Sequence, residues 1–316
     1  MQTLVTDRPE EAANYLNRGE TVAFPTETVY GLGADTFNPD AVAGIFRAKG
    51  RPSDNPLIVH VASPDRVDEV AEEINDTARR LIERFFPGPL TVVLKKRDTL
   101  PDIVSAGLPT VGVRCPAHPQ AAEFLRHCKH PVAAPSANVS GRPSPTDWRT
   151  VEHDLGGKIG CLLRGEPSTI GLESTIVDCS VKPPLLLRSG AISLEALRKL
   201  VPDIQVATSC RPDEAPKSPG QKYRHYSPEA EIVLVETPPQ SLPAEQQAAW
   251  IGLSTPPAGA TKALQCHDMD EYARALFGFF RMSDAEGIRT IYCELPPKEG
   301  IGRAIRDRLI KAAGKG

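Results

Sequence analysis

Ten residues near the N-terminus, FPTETVYGLG at 24–33, gather groups that can bind a small polar molecule. Pro25 fixes its φ angle and lacks a backbone donor, while Gly31 and Gly33 allow backbone conformations closed to other residues. Between them lie hydroxyl groups and the carboxylate of Glu27. A short apolar run, predicted as a strand, precedes this stretch. We therefore predict a loop that holds a small polar ligand at a strand end.

Cations follow in the segment RAKGRPSDNP at 47–56. Three of them fall within five residues at a predicted helix C-terminus, where positive charge stabilises the helix dipole. A rigid loop that carries Lys49 and Arg51 is also a suitable clamp for a polyphosphate. The segment by itself leaves both interpretations open.

Two further segments place polar groups after predicted strands. The first, APSANVSGRPS at 134–144, concentrates hydroxyls and an amide. Turn chemistry alone explains serine and asparagine there, although the same groups suit phosphate oxygens. The second combines ESTI at 173–176 with LRSG at 187–190, where Arg188 is either a surface cation or an anion clamp.

Together these segments place Lys49, Arg51, Arg114 and Arg188 at the ends of predicted elements, among polar loops. No candidate nucleophile is framed by a base. The chain also has no Walker A loop, no Gly-x-Gly-x-x-Gly and no Gly-x-Ser-x-Gly, which excludes the usual P-loop, dinucleotide and hydrolase signatures. The pattern predicts a site that positions substrates and neutralises phosphate charge.

A zinc site is a weaker alternative for one cluster. Cys115, His118, His127, Cys128 and His130 fall within 16 residues. Neither cysteine forms a usual structural-zinc spacing with the histidines. We interpret them as core thiols and as capping or surface histidines, and expect no resident metal.

Composition indicates an ordinary globular protein. The 316 residues carry a net charge of −3 and are 40% hydrophobic, which suggests two domains and gives no global attraction to nucleic acid. No apolar run is long enough for a membrane span, and the first residues do not resemble a signal peptide. Seven cysteines without a Cys-x-x-Cys pair indicate reduced thiols. We expect a cytoplasmic protein that does not bind membranes.

The elements that must position these residues mix strands and helices without regular alternation, which predicts an α/β domain of α+β type with a mixed sheet. The first helix is expected to open with a capping box at Asp7-Arg8-Pro9-Glu10. Predicted helices lie near 9–18, 40–48, 75–85, 117–128, 146–155, 193–200, 270–282 and 299–312. Predicted strands lie near 21–24, 57–61, 90–94, 110–113, 132–134, 161–163, 174–177, 185–187, 231–235, 250–253 and 290–294.

A change of composition divides the chain. Residues 207–229 are rich in proline, serine and charge and are predicted to be a linker. We therefore expect a catalytic domain at 1–206 and a smaller α/β domain at 230–316, in which the element order is β–β–α–β–α.

These motifs closely resemble the threonylcarbamoyl-AMP synthase family, over almost all of residues 1–205 and in order. The linker SPGQKYRHYSP and the segment GIGRAIRDRLIKAA resemble the two-domain form, although Gln221 stands where methionine is common. The matching segments of the first domain are FPTETVYGLG, Lys49-x-Arg51, NPLIVHV (55–61), PGPLT (87–91), SAGLPTVGVRCPAHP (105–119), APSAN (134–138), SGRPSPT (140–146) and ESTI (173–176).

The resemblance implies a twisted, mixed, open sheet with a small Rossmann-like second domain. It implies that L-threonine, bicarbonate and ATP give threonylcarbamoyl-AMP and pyrophosphate, and that a separate complex transfers the group to tRNA. Mg²⁺ would arrive with ATP, and no organic cofactor is expected. The family fold also has a basic concave face, so a weak contact with tRNA remains open. The linker would act as a lid over the ATP site.

Family position also implies residue roles. Lys49 and Arg51 would be catalytic, and we expect their replacement by alanine to lower turnover far more than thermal stability. The expected threonine site comprises Thr26, His60, Arg114, Ala134 and Ser174. The expected ATP site comprises Lys49, Arg51, Asn55, Thr110, Ser136, Asn138, Ser144, Arg188 and Tyr226.

Two rival functions remain to be separated. One is a carbamoyl-adenylate-forming relative, although such sites usually lie in longer chains with zinc modules. The other is a non-catalytic RNA-binding module, for which the negative net charge and 5% aromatic content are poor support.

Overall fold

The structure, a computed structural model, describes residues 2–207, 225–243 and 247–314. These residues form a large domain around a 12-stranded sheet and a small domain around a 4-stranded sheet. Most of the predicted linker lies outside the described residues.

Mixed strand directions characterise the large sheet, as the sequence predicts. Parallel and antiparallel pairs both occur along the order β1-β9-β2-β3-β8-β4-β7-β6-β10-β11-β12, and β3 is antiparallel to both of its neighbours, while β5 pairs with β6. Its strands are β1 Leu4–Thr6, β2 Val22–Phe24, β3 Gly31–Asp35, β4 Ile58–His60, β5 Ala71–Glu72, β6 Leu90–Lys96, β7 Thr110–Arg114, β8 Val132–Ala134, β9 Cys161–Leu163, β10 Thr175–Asp178, β11 Leu185–Arg188 and β12 Gln205–Val206.

Helices cover this sheet and bury its apolar side chains in one extended core, with a smaller core around Phe24 and Phe124. A 3₁₀ turn at Pro64–Glu69 adds to them. The helices are α1 Pro9–Asn17, α2 Pro39–Lys49, α3 Asp76–Phe85, α4 Asp102–Ser105, α5 Pro119–His127, α6 Trp148–Leu155 and α7 Leu194–Leu200.

The predicted capping box at the start of α1 is wrong. Arg8 occupies the N-cap position, and no side chain caps the helix. The carboxylate of Asp7 instead lies 3.2 Å from the guanidinium of Arg164. Pro9 does begin the helix, because its missing donor costs nothing in the first turn.

The FPTETVYGLG stretch is only partly a loop. Gly31 begins β3, which pairs antiparallel with β2, so residues 25–30 alone connect the two strands. Neither Gly31 nor Gly33 has a positive φ angle. The glycines are needed for space instead, since a Cβ at Gly33 would lie 2.6 Å from Val132 and 3.0 Å from the Phe24 ring. The predicted role in backbone conformation is therefore wrong.

The small domain has one more strand than predicted. All four strands are parallel, in the order β13-β16-β14-β15, and β15 is the edge strand that the sequence analysis missed. Its residues alternate between half-buried and exposed. The elements are β13 Glu231–Val235, β14 Ala248–Gly252, β15 Lys262–Gln265, α8 Met269–Ala285, β16 Thr290–Glu294 and α9 Gly302–Ala312.

The two domains pack directly on each other. Val29 and Leu172 of the large domain belong to the hydrophobic core of the small domain, together with Phe277 of α8. Gly171, with φ +83°, lies so close to the backbone at Arg274 that a side chain would collide with it. The β2–β3 loop therefore touches the small domain.

No helix within the described ranges is both long and apolar enough to cross a membrane.

Candidate active site

One cavity gathers the polar segments singled out by the sequence. It holds about 720 Å³ of unfilled space, part of it open to solvent. Every predicted site residue except Asn55 and Thr110 lines it. The lining predicted residues are Thr26, Lys49, Arg51, His60, Arg114, Ala134, Ser136, Asn138, Ser144, Ser174, Arg188 and Tyr226.

The β2–β3 loop is held in shape by the hydroxyl of Thr26. This hydroxyl donates to the carbonyl of Val29 at 2.6 Å and accepts from the backbone amides of Thr28 and Val29. It also lies 2.8 Å from the hydroxyl of Thr28. Thr26 thus organises the loop that borders the cavity.

Arg114, the last residue of β7, connects this loop to the sheet. Its Nη1 donates to the Thr28 hydroxyl at 2.8 Å, and its Nη2 lies 2.8 Å from a carboxylate oxygen of Glu27. The pair is nearly fully buried, and Nη2 and the Glu27 oxygens have no well-directed hydrogen bond to a described residue beyond this ion pair. Glu27 therefore offsets part of the Arg114 charge.

His60, the last residue of β4, is the register partner of Arg114. Burial and the nearby Arg114 charge lower the pKa of His60 to about 3. Its Nδ1 lies 3.1 Å from the carbonyl oxygen of Ile58, so Nδ1 carries the proton of the neutral ring. A neutral imidazole beside an arginine leaves the positive charge of this corner on Arg114.

Ser174 and Arg188 form the opposite wall. Arg188 donates from Nε to the Ser174 carbonyl at 3.0 Å and from Nη2 to the Ser174 hydroxyl at 3.1 Å. That hydroxyl also lies 2.7 Å from the hydroxyl of Thr91 on β6. Arg188 is buried, so the clamp interpretation of this cation fits its location better than the surface interpretation.

Lys49 and Arg51 flank the end of α2, where Gly50 adopts a left-handed conformation with φ +60° and ends the helix. The ammonium of Lys49 donates to the carbonyl of Ser136 at 2.6 Å and to the carbonyl of Asn138. Burial and the neighbouring Arg51 charge lower the pKa of Lys49 well below its ordinary value. With 2% of its surface exposed, Lys49 is buried and is not a surface charge at a helix end.

The Ser136–Asn138 loop follows β8 and is fixed by several contacts. The Ser136 hydroxyl donates to the side-chain oxygen of Asn138 at 2.5 Å, and the amide group of Asn138 donates to the carbonyls of Val139 and Arg142. Together with the Lys49 ammonium, these bonds present the loop to the cavity as a rigid polar edge.

Glu173 is a carboxylate in this cationic cavity, and the sequence analysis did not include it among the site residues. It accepts a hydrogen bond from the Ser144 hydroxyl at 2.5 Å and forms an ion pair with Arg308 of α9 at 2.7 Å. Burial acts to raise the pKa of Glu173, but Arg308, Arg188 and the Ser144 hydrogen bond keep it below its ordinary value. Glu173 is therefore an ionised acceptor.

The end of the predicted linker also reaches the cavity. His225 and Tyr226 both line it, and burial raises the pKa of Tyr226 to about 12. The Tyr226 ring stacks on Phe277 of α8 with a centroid distance of 5.4 Å. Residues 208–224 lie outside the described part of the chain, so the structure describes the predicted lid at 207–229 only at its two ends.

The structure does not bring Asn55 and Thr110 to the cavity wall. Asn55 is buried behind Arg51, whose Nη2 lies 3.4 Å from its carbonyl oxygen. Thr110 begins β7, whereas Arg114 ends it, so about 13 Å of strand separates the two residues. Thr110 instead borders a separate surface cavity with Asn75 and Asp178.

Among the described residues, no three histidine, cysteine, aspartate or glutamate side chains are placed to hold a metal ion. Burial raises the pKa of the Cys115 thiol to about 11, and Cys128 is also buried. These two cysteines are core thiols.

Sequence profiles of two known families cover most of the chain. One, described as telomere recombination, matches residues 14–190, and the other, described as the threonylcarbamoyl-AMP synthase C-terminal domain, matches residues 192–314. The threonylcarbamoyl-AMP synthases of Pyrococcus abyssi and Bacillus subtilis are 41% and 42% identical in sequence to this chain. Each alignment spans 98% of this chain, and 96% and 95% of those proteins.

This chain belongs to the threonylcarbamoyl-AMP synthase family.

A solved structure agrees with this assignment. The crystal structure of P. abyssi Sua5 complexed with L-threonine superposes with a TM-score of 0.92 at 40% identity, covering 99% of this chain and 97% of that one. The described residues of both domains therefore share the fold of that two-domain protein.

For this member of the threonylcarbamoyl-AMP synthase family, the sequence analysis missed several cavity-lining residues. Thr28 and Glu173 lay inside motifs that were recognised, next to residues that were selected, and their polar side chains were the available signal. Arg308, which does not line the cavity but pairs with Glu173 on its wall, gave no comparable signal, because it lies among several cations of a helix far along the chain.

Proposed function

We propose that this protein synthesises threonylcarbamoyl-AMP from L-threonine, bicarbonate and ATP, and releases pyrophosphate. The observation that carries the proposal is the convergence of the predicted threonine and ATP residues on one cavity. The near full-length identity to named threonylcarbamoyl-AMP synthases supports the same reaction.

Threonine would occupy the end of the cavity bordered by Thr26, His60, Arg114, Ala134 and Ser174. Arg114 would bind the threonine carboxylate through its guanidinium, which Glu27 already pairs at 2.8 Å, since charge-assisted bonds from arginine to carboxylate are strong. The neutral His60 ring adds no second charge beside Arg114, and hydroxyls complete the polar lining.

ATP would occupy the end bordered by Lys49, Arg51, Ser136, Asn138, Ser144, Arg188 and Tyr226. Arg51 and Arg188 supply positive charge towards the phosphates, and Lys49 holds the Ser136–Asn138 loop that faces them. ATP would enter as its Mg²⁺ complex, because the described site has no acidic cluster for a resident metal. Asn55 and Thr110, the other two residues predicted for the ATP site, lie outside the cavity lining.

The reaction proceeds in two steps in this proposal. The threonine amine attacks the carbon of bicarbonate, and water leaves, which gives a carbamate. A carbamate oxygen then attacks the α-phosphorus of ATP, and the bond to the pyrophosphate group breaks. The buried cations stabilise the negative charge that develops on the leaving group.

The setting of the reaction is also part of the proposal. The product would pass to a separate complex that modifies tRNA in the cytoplasm, with at most a weak tRNA contact by this chain. Residues 1–206 would form the catalytic domain, residues 207–229 the lid and residues 230–316 the supporting domain.

A substrate-omission assay tests the function. Pyrophosphate release and the adenylate product are measured with ATP, threonine and bicarbonate, and with each omitted in turn. We expect release only when all three are present. Arg114→Met should abolish it, while Arg126→Met, on an exposed position of α5, should not. Threonine-independent ATP hydrolysis, or RNA binding without turnover, would refute the proposal.

A further inference from the structure

Arg308 connects the small domain to the proposed ATP site. It lies on α9, none of its side chain is exposed, and its Nε lies 2.7 Å from Glu173. Its Nη2 donates to the carbonyl of Ser189 at 3.1 Å, directly after Arg188. Its guanidinium carbon lies 5.2 Å from the centre of the Tyr226 ring. One cation from the small domain thus contacts two residues of the cavity wall and the backbone directly after a third, Arg188.

We propose that Arg308 is a positioning residue for ATP, which holds Glu173 as a charge-compensated acceptor for the Ser144 hydroxyl. This inference rests on the proposed function. It gives the small domain a role inside the active site, in addition to support for a lid.

The Arg308–Glu173 ion pair affects the charge of the cavity wall. ATP brings several negative charges to the cavity, and an uncompensated Glu173 carboxylate on its wall would repel them. Arg308 approaches Glu173 from behind, on the side of α9, and compensates that charge without occupying the cavity, since Arg308 does not line it. Its Nη1 also pairs with Asp307, whose charge Lys311 shares at 2.9 Å.

The same ion pair also fixes the position of the Glu173 carboxylate. The Ser144 hydroxyl donates to one oxygen of Glu173, and Arg308 donates to the other. The orientation of Ser144 therefore depends on Glu173, and that of Glu173 on Arg308. An arginine with fixed partners on both sides is suited to such a role, because its planar fork leaves little freedom.

The small domain also contacts the 141–144 segment, which carries Ser144, at other points. Arg281 of α8 donates to the carbonyl of Pro143, next to Ser144, and forms a buried ion pair with Asp154 at 2.7 Å. From the end of the linker, the backbone amide of Ser227 donates to the carbonyl of Gly141. The 141–144 segment is therefore fixed from the small domain on one side and by Glu173 on the other.

The test measures the Kd of the Mg²⁺–ATP complex by calorimetry, and KM values where turnover is seen. Arg308→Met removes the charge but keeps the stem. We expect on the order of a tenfold weaker affinity for ATP, with the KM for threonine nearly unchanged. Arg303→Met is the control, because Arg303 lies on the same helix and its nearest carboxylate, Glu195, is 3.9 Å away at the surface.

A second variant shows whether Arg308 acts through Glu173. Glu173→Gln in the Arg308→Met background keeps an oxygen acceptor for Ser144 and removes the buried charge. We expect this double variant to recover most of the ATP affinity, and to fold even where Arg308→Met alone does not. A double variant that folds but remains about tenfold weak would overturn the proposal, as would an unchanged Kd in Arg308→Met.

The pH dependence of ATP affinity gives a further measurement, which would not change if Arg308 had a purely structural role. Glu173 is faced by Arg308 from α9, by Arg188 from β11 and by His225 and Tyr226 from the linker end. Without Arg308, burial should raise the pKa of Glu173. ATP affinity in Arg308→Met should then fall as pH rises through that pKa, and the double variant should lose this dependence.

Calorimetry keeps this inference separate from the proposed function. A wild-type protein that binds ATP but releases no pyrophosphate would refute the function and leave the Arg308 comparison intact. A wild-type protein with no affinity for ATP would refute both.

Discussion

The ammonium nitrogen of Lys49 lies 2.6 Å from the carbonyl oxygen of Ser136, 87 residues along the chain. A second carbonyl, that of Asn138, accepts from the same nitrogen. Lys49 therefore fixes the loop after β8, and its donors are directed to protein acceptors as well as towards the cavity.

Because Lys49 holds this loop, we expect different effects when Lys49 and Arg51 are each replaced by alanine. Lys49→Ala should lower both turnover and stability, because two buried carbonyls lose their donor at a cost of roughly 1–3 kcal/mol each. Arg51→Ala should lower turnover with little change in stability, since Arg51 is half-buried. Pyrophosphate release and thermal unfolding measure the two effects. Arg47→Ala, exposed on the same helix, is the control, and normal turnover in Arg51→Ala would contradict the clamp.

The lining of the proposed threonine pocket predicts amino-acid choice. A site with Thr26, His60 and Ser174 on its wall should reject valine by roughly 10⁴-fold in kcat/KM, because the groups that bind the substrate hydroxyl would stay unpaired. Serine lacks only the methyl group of threonine, so its transition state should be stabilised by roughly 1–3 kcal/mol less than that of threonine. Product formation is compared for the three amino acids at equal concentration. Comparable turnover with valine would remove the support for a hydroxyl-binding pocket.

Burial of His60 predicts a pH dependence of stability. The pKa of His60 falls from 6.5 to about 3 on folding, so below pH 6.5 the unfolded chain binds a proton that the native state does not. Stability present above pH 6.5 is therefore lost as pH falls towards 3, by about 1.4 kcal/mol per pH unit.

His60→Asn should remove this contribution. Urea unfolding between about pH 4 and pH 6 should show a slope smaller than that of the wild type by about 1.4 kcal/mol per unit. His127→Asn, at an exposed position, should leave the slope unchanged. Equal slopes in all three proteins would mean that His60 is not a buried neutral group.

The linker should close over bound substrates. His225 and Tyr226 already line the cavity, and Tyr226 holds a left-handed backbone angle of φ +63° against Phe277. Closure would exclude water from a labile mixed anhydride. We expect ATP and threonine together to protect the bonds after Lys217, Lys222 and Arg224 from trypsin, measured by mass spectrometry. Cleavage after the exposed Lys298 serves as the internal reference. Equal cleavage of the linker with and without substrates would contradict a lid.

Much of the site could be predicted from the sequence because its chemistry is local. The hydroxyls of FPTETVYGLG, the Lys49-x-Arg51 spacing at a helix end and Arg114 at the end of an apolar run are each readable within about ten residues. Strand β3 was missed because glycine is rare in strands, and β15 because a four-residue edge strand has little apolar alternation. Thr110 was assigned to the ATP site by resemblance, although strand direction places it at the far end of β7.

The sequence by itself determined the family, the mixed α/β class and the set of polar residues that converge on the cavity, because apolar periodicity and motif spacing act over short distances. Only the tertiary structure decided that Lys49 is buried against Ser136 and Asn138, and that Arg308 meets Glu173 across 135 residues. Such pairs depend on the strand order of the sheet and on how one domain packs against the other. Both are set by non-local contacts summed over the whole core, and no short stretch of sequence records them.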